Sequence, residues 1–157
     1  IRAVASRCSV SAGTIYNYYE SKADLLGDTI ESIWREIFFN HEDEQAFKDV
    51  AACISWIYKR LEYGNEQFPG FFSLHSLGFM KDDKTDGKKK MLQTWGHILN
   101  GLCDILKNDP KIRPDVFDEQ FTEKQFADIL FSLILVSMIR QDYNPSSILM
   151  LINKTLY

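Results

Sequence analysis

The sequence predicts an all-α fold in which a small N-terminal unit precedes a larger helical body. Apolar residues recur at spacings of three and four along most of the 157 residues, which is the periodicity of amphipathic helices. Helix-start and helix-stop signals separate these stretches, among them Thr122 with Gln125 in capping-box spacing and Asp109 followed by Pro110. The sequence shows no β-hairpin signal and no internal repeat.

The segment Val10–Lys22 predicts a short helix that starts at a serine N-cap. At 100° per residue, Ile15 and Tyr19 fall on one side of this helix and Gly13 and Asn17 fall opposite. The outward side would therefore carry small, amide and hydroxyl groups without a charge. Such groups can approach base edges and phosphates closely.

A second helix is predicted to follow directly. Ser21 is in N-cap position, with Asp24 three residues later. Lys22 would lie in the first turn, where a cation opposes the helix dipole, so we interpret it as a phosphate ligand. Upstream, Ile1 to Arg7 reads as the end of a helix, and Cys8-Ser9-Val10 is a tight connection. Two short helices joined in this way make a helix-turn-helix.

These residues carry a resemblance to a known family. Val4-Ala5 followed by Val-Ser-x-Gly-Thr-x-Tyr-x-x-Tyr-x-Ser-Lys-x-x-Leu-Leu from Val10 closely resembles the DNA-binding signature of the TetR (tetracycline repressor) family. Ser9 stands where that family usually has glycine. The chain also begins inside the second helix of the family pattern, so we expect its first helix to be absent here.

The resemblance implies a function for each residue of the motif. Thr14, Tyr16 and Lys22 would hold phosphates, and five residues would face bases or sugar edges: Arg2, Ala12, Gly13, Asn17 and Tyr18. The predicted DNA-binding residues are Arg2, Ser11, Ala12, Gly13, Thr14, Tyr16, Asn17, Tyr18 and Lys22.

The pattern predicts five helices from Lys22 onward, of which the first is the helix that Ser21 caps. We expect one from Lys22 to about Asn40, and a second after the acidic break His41–Glu44 that ends at Gly64-Asn65. A charged loop from Lys81 to Lys90 precedes a helix that ends at Asn108. The capping box starts a helix through about Asp142, and Asn144-Pro145 starts the last one. We divide the chain into a head with its connecting helix, 1–40, and an effector-binding and dimerisation domain, 41–157.

The last two helices are apolar on nearly every side. A surface helix of a monomer needs one apolar stripe, so we expect a second copy of the chain to cover the other side. The alternative is a helix buried centrally in a monomer. TetR-like proteins dimerise through their last two long helices, which favours a homodimer. The predicted interface residues are Phe131, Leu135, Met138, Ile148, Leu151 and Ile152.

The middle of the chain is rich in aromatic residues where TetR-like proteins build a ligand cavity. Their simplest interpretation is plain core, but as a set they suit a pocket for an unidentified apolar or aromatic effector. The candidate pocket residues are Trp56, Phe68, Phe71, Phe72, His75 and Trp95.

Charge and composition limit the remaining possibilities. The chain carries a net charge of −4, but residues 1–26 carry +1. Each head therefore has only a small positive charge, and we expect its affinity for DNA to depend on two heads that bind together. Three widely separated cysteines indicate buried thiols of a reducing cytoplasm. The longest apolar run, 129–139, is too short to span a membrane.

The sequence predicts a regulator and no enzyme. We find no nucleophile elbow, phosphate-binding glycine loop or metal-ligand spacing, and expect no catalytic residue, metal or cofactor. The prediction is a DNA-binding transcriptional regulator, a repressor that a small effector releases from a palindromic operator. The alternative is a TetR-like protein that binds a protein partner instead of DNA, which the thin charge of the head would favour.

Overall fold

The computed structural model of the chain describes residues 1–38, 44–72 and 86–157, with the backbone alone for 44–45 and 86–94. Within these ranges every regular element is helical, which confirms the predicted all-α fold. The chain divides into two compact units, Ile1–Asn40 and His41–Tyr157.

The N-terminal unit, which we call the head, contains three helices. They are α1 (Arg2–Arg7), α2 (Ala12–Tyr16) and α3 (Lys22–Phe38). α1 packs against α2, and Ala5 is the buried side chain of α1. The predicted last two residues of α3, 39 and 40, lie outside the described residues.

The second unit, which we call the body, contains a 3-10 turn and four described α-helices. The turn is Glu44–Phe47, and the helices are α4 (Val50–Gln67), α5 (Asp86–Asn108), α6 (Glu123–Arg140) and α7 (Ser146–Thr155). α5 packs on α6, while α4 packs on α5, α7 and the 3-10 turn. The largest fully buried side chains of this unit are Val50, Ile54, Leu61, Phe72, Leu130, Ile152 and Leu156.

Two predicted boundaries in the body are wrong. α4 does not end at Gly64-Asn65 but continues to Gln67, because a buried glycine costs a helix only about 1 kcal/mol, which packing offsets. The helix ends where Phe68 precedes Pro69, a position that disfavours helical backbone. The predicted loop 81–90 is also too long, since α5 already begins at Asp86; residues 81–85 lie outside the described residues.

The predicted capping box at Thr122 is confirmed. Thr122 Oγ1 accepts a hydrogen bond from the Gln125 N–H at 3.3 Å, and Gln125 Oε1 accepts from the Thr122 N–H at 2.8 Å. α6 ends at Arg140, two residues earlier than predicted, because Gln141 adopts a left-handed conformation with φ 54°. The last helix starts at Ser146, whose N–H donates to Asn144 Oδ1.

The N-terminus of α4 is closed by side chains from separate parts of the body. Asp49 is its N-cap, and Oδ1 accepts from the Ala52 N–H at 2.7 Å. Asp109, just after α5, accepts from the Val50 N–H at 2.9 Å. The N–H groups of Val50 and Ala52, which a helix cannot satisfy internally, therefore have side-chain acceptors.

Asp49 and Asp109 at the N-terminus of α4, a region that we call the junction, are bonded to further groups. Asp109 Oδ2 accepts from the Tyr157 hydroxyl at 2.6 Å, and Asp109 Oδ1 accepts from the Lys111 N–H at 3.0 Å. The Lys111 ammonium donates to Asp49 Oδ2 at 2.5 Å. Asp49 and Asp109 are only 4% and 7% exposed. Both carboxylates therefore need these hydrogen-bond partners, because an unpaired buried charge is very costly.

These contacts shift the pKa values of Asp49, Lys111 and Tyr157. Burial acts to raise the pKa of Asp49, but the hydrogen bond from Lys111 and the Ala52 N–H together hold the pKa below its usual value. The pKa of Lys111 is raised by the same hydrogen bond. Burial, and then the hydrogen bond to Asp109, raise the pKa of Tyr157, so its hydroxyl remains a donor.

The apolar side of α6 and α7 that remains exposed differs from the predicted interface. Four of the six predicted side chains lie in the core of the chain itself, Leu135 is half-buried and only Leu151 is exposed; the four are Phe131, Met138, Ile148 and Ile152. The large apolar side chains exposed on these two helices form what we call the outer apolar face: Ile129, Leu133, Val136, Ile139, Met150 and Leu151.

The difference between the predicted residues and the exposed ones has a simple cause. α6 is apolar on nearly every side, so periodicity could not indicate which side packs on the rest of the body. Because α6 packs on α5, the side with Leu130 and Ile134 turns inward. Residues 129, 133 and 136 follow at spacings of four and three, and they share the opposite, solvent-facing side.

The cysteine prediction holds for only part of the set. Cys53 is buried, and burial raises its pKa to about 12. Cys103 is half-buried and Cys8, in the turn after α1, is exposed.

Among the described helices, none combines the length and the apolar character needed to cross a lipid bilayer.

The junction predicts a pH-dependent effect of Lys111→Met. Asp49 has a lowered pKa in the folded state, so its contribution to stability is present above the unfolded pKa of about 3.9 and is lost as the pH falls through the folded value. The variant should be less stable than the wild type at pH 7, and the difference should shrink between about pH 5 and pH 3.

Urea-unfolding midpoints measured across this range test the prediction. Lys107→Met, at an exposed lysine in the last turn of α5, is the matched control and should change little at any pH. A Lys111→Met deficit that stays constant from pH 7 to pH 3 would show that the charge pair does not provide the stability.

Candidate DNA-binding head

The turn between α1 and α2 is held by backbone hydrogen bonds and by one unusual residue. The N–H groups of Cys8 and Val10 donate to the carbonyls of Val4 and Ala5 at 2.9 and 3.0 Å. Ser9 has φ 56°, the left-handed region in which a non-glycine residue pays roughly 1–2 kcal/mol. The turn therefore keeps a conformation that suits glycine, with serine in its place.

Side-chain caps start both helices of the motif that follow the turn. Ser11 Oγ accepts from the Thr14 N–H at 3.1 Å and shares a 2.9 Å hydrogen bond with Thr14 Oγ1. Ser21 Oγ accepts from the Asp24 N–H at 3.1 Å and donates to Asp24 Oδ2 at 2.8 Å. Both caps follow the sequence prediction, because each is a local interaction within four residues.

α2 ends at Tyr16, so Tyr18 and Tyr19, which the sequence places on the same helix, lie in the segment after it. The helix and this segment together turn apolar side chains inward and polar ones outward. Ile15 and Tyr19 are half-buried, whereas Tyr16 and Tyr18 are 55% and 81% exposed. The other predicted DNA-binding residues are exposed too, apart from the half-buried Ala12: Arg2, Ser11, Gly13, Thr14, Asn17 and Lys22. The nine residues therefore lie on the solvent-facing surface of the head.

Gly13 is exposed in α2, and its backbone does not require glycine. Its φ lies outside the left-handed region, and an added Cβ would meet only Ser11 Oγ at 3.6 Å, an ordinary contact. The fold of the head would therefore accommodate alanine at this position.

The comparison with protein families decides the identity of the head. Residues 1–29 match the family model of bacterial regulatory proteins of the tetR family. The head is that of a TetR-family regulator. The match covers the helix-turn-helix and the first residues of α3, so the head is similar to the DNA-binding part of these regulators.

Comparisons beyond the family model add no relative. Neither the curated proteins nor the solved structures contain a match to this chain. The body must therefore be interpreted from its own residues.

The candidate pocket residues of the body occupy varied positions. Phe72 is buried, and its ring centroid lies 5.5 Å from that of Phe71. The half-buried ring of Trp56 contacts Phe47 at 5.3 Å, and that of Trp95 contacts Phe131 at 5.5 Å. Phe68 is half-buried, and His75 lies outside the described residues. Among the described residues there is no group of three or more potential metal ligands.

The left-handed residue in the turn predicts a stabilising substitution. Ser9→Gly should raise the free energy of unfolding of the head by about 0.5–1 kcal/mol, since glycine adopts φ 56° without a steric penalty. Amide hydrogen exchange in α1 and α2 measures this local stability.

Ser6→Gly is the matched control. Ser6 is an exposed helical residue in α1, so glycine there should lower stability by about 0.5–1 kcal/mol. If both substitutions slow or both speed exchange in the head, the conformation of Ser9 is not the source of the effect.

Proposed function

We propose that the chain is a homodimeric transcriptional repressor that acts in the cytoplasm and binds a roughly palindromic operator through two copies of the head. The observation that carries the proposal is the outward face of α2, where an uncharged set of hydroxyl, amide, phenol and glycine groups is exposed beside Lys22. A solvated helix face normally carries charges, so this composition suits contact with a nucleic acid.

The residues of the head divide by the DNA group that each would contact. Thr14, Tyr16 and Lys22 would bind phosphates and fix the register of the helix. Gly13 and Asn17 would approach the bases, because the absent side chain of one permits close contact and the amide of the other can read adenine in the major groove. Arg2, Ala12 and Tyr18 complete the set that faces bases or sugar edges.

Lys22→Ala should weaken binding to all DNA sequences about equally. Removing one phosphate contact lowers the slope of log affinity against log salt concentration by about one unit. Asn17→Ala should instead change the sequence preference. Fluorescence anisotropy with DNA from the upstream region of the gene, at several salt concentrations, measures both effects.

Lys59→Ala, at an exposed lysine of α4 in the body, is the control and should leave the salt slope unchanged. Wild-type protein that shows no salt-dependent DNA binding would contradict the proposal. It would favour the alternative of a TetR-like interaction protein, which a specific complex in a pull-down from native lysate would then identify.

We propose the outer apolar face of α6 and α7 as the dimer interface. Ile129, Val136 and Ile139 are 43%, 42% and 62% exposed, and they adjoin one another on α6. Met150 extends the same kind of surface on α7 at 58% exposure. A second copy about a two-fold axis would cover this face with an identical surface, and two heads joined in this way can bind two operator half-sites.

Val136→Asp should dissociate the dimer, because a carboxylate buried without a partner is very unfavourable. We expect the dissociation constant to rise by at least about a hundredfold. Sedimentation equilibrium measures the molar mass. Ser55→Asp, on an exposed site of α4, should leave the dimer intact, and a wild-type chain that is monomeric at micromolar concentration would contradict the interface.

We propose that a small apolar or aromatic effector binds among Trp56, Phe68, Phe71, Phe72, His75 and Trp95 and releases the protein from DNA. Such a ligand changes DNA affinity only if it binds the two conformations of the protein with different affinity. In a two-headed binder the conformations differ in head separation, which must match one DNA turn of about 34–36 Å. Operator affinity measured with and without the ligand detects the release.

A further inference from the structure

The C-terminal end of α7 is held by hydrogen bonds from the connector between α5 and α6. The Arg113 N–H donates to the carbonyl of Leu156 at 2.9 Å, and the Arg113 guanidinium donates to the carbonyl of Thr155 at 2.9 Å. Beyond the helix, the Tyr157 hydroxyl donates to Asp109 Oδ2 at 2.6 Å. Three hydrogen bonds therefore join the end of α7 and the segment after it to this connector.

An arginine that binds the last carbonyl of a helix is common, because a cation is favoured at that end of the helix dipole. Here the backbone N–H of Arg113 binds the next carbonyl as well, and Tyr157 bonds to a carboxylate that is only 7% exposed. That carboxylate, Asp109, also accepts from the N–H groups of Val50 and Lys111. The end of α7 is therefore attached to the same group that closes the start of α4.

α7 is a helix that depends on such attachment. It has ten residues, and an isolated helix shorter than about 12–15 residues is marginal in water. It packs on α4, and its buried side chains are Ile148 and Ile152. Apolar contacts of this kind have no direction, whereas a hydrogen bond requires a distance and an angle. The bonds from Arg113 and Tyr157 therefore determine how α7 is placed and which side it turns outward.

We propose that Arg113 and Tyr157 are positioning residues for the dimer, although neither belongs to the outer apolar face. They hold α7 so that Met150 and Leu151, which are 58% and 38% exposed, are presented to a second copy of the chain. The proposal rests on the dimer interface proposed above. A helix end that is not held has to be ordered when two chains meet, and this ordering weakens association.

Two substitutions remove the attachment without changing the exposed face. Arg113→Met removes the guanidinium donor and keeps an unbranched side chain, and Tyr157→Phe removes the hydroxyl donor alone. Each dimer contains α7 twice, so each substitution acts at two places. Each should raise the dissociation constant of the dimer about tenfold, as measured by sedimentation equilibrium.

Lys111→Met is the matched control. It makes the same kind of change two residues away in the same connector, but the Lys111 ammonium binds Asp49 at the start of α4 and not α7. This variant should lose stability while its dissociation constant stays within about twofold of the wild type. A rise in the dissociation constant as large as that of Arg113→Met would overturn the proposal, because a general loss of stability would then explain both.

Amide hydrogen exchange gives a second measurement that does not require the dimer. At a protein concentration well below the dissociation constant, the amides of α7 should exchange at least about tenfold faster in Arg113→Met and Tyr157→Phe, while those of α6 keep their wild-type rates. Unchanged exchange in α7 would overturn the proposal, since the helix would then hold its position without these bonds.

Val136→Asp separates failure of this inference from failure of the proposed interface. A wild-type dimer that Val136→Asp dissociates, but that Arg113→Met and Tyr157→Phe do not weaken, would overturn the positioning role and leave the interface supported. A wild-type chain that is monomeric at micromolar concentration would overturn both.

Discussion

The body is organised by the hydrogen bonds at the N-terminus of α4. The Val50 and Ala52 N–H groups are bonded to Asp109, which follows α5, and to Asp49, which precedes α4. Tyr157, from the segment after α7, donates its hydroxyl to Asp109. Lys111 bonds to both carboxylates, through its ammonium to Asp49 and through its backbone N–H to Asp109. Displacement of any of these segments would leave buried polar groups without partners, which fixes three helices relative to one another.

A second set of bonds continues the same constraint to the end of α7. The Arg113 N–H donates to the carbonyl of Leu156, and its guanidinium donates to the carbonyl of Thr155 at 2.9 Å. These carbonyls have no acceptor role inside the helix that they end. The connector after α5 therefore bonds through Lys111 to the start of α4 and through Arg113 to the end of α7. These bonds hold α7, which exposes Met150 and Leu151, in place on the body.

The parts that could be predicted from sequence are those set by short-range interactions. The caps at Ser11, Ser21 and Thr122 each join residues three apart, so spacing alone reveals them. Asp109 and Tyr157 are 48 residues apart, and no local pattern signals such a pair. The inward side of α6 was equally hidden, because Ile129 and Leu130 are alike in polarity and only packing against α5 distinguishes them.

The outer apolar face has a consequence for the response of the regulator to its own abundance. In the proposed dimer, Ile129 and Val136 lose their contact with water only when two chains meet, so folding, assembly and operator binding are linked by mass action. Where most chains are monomeric, the concentration of dimer varies with the square of the chain concentration. A halving of the protein would then reduce the two-headed form about fourfold, which makes release from the operator steeper than dilution itself.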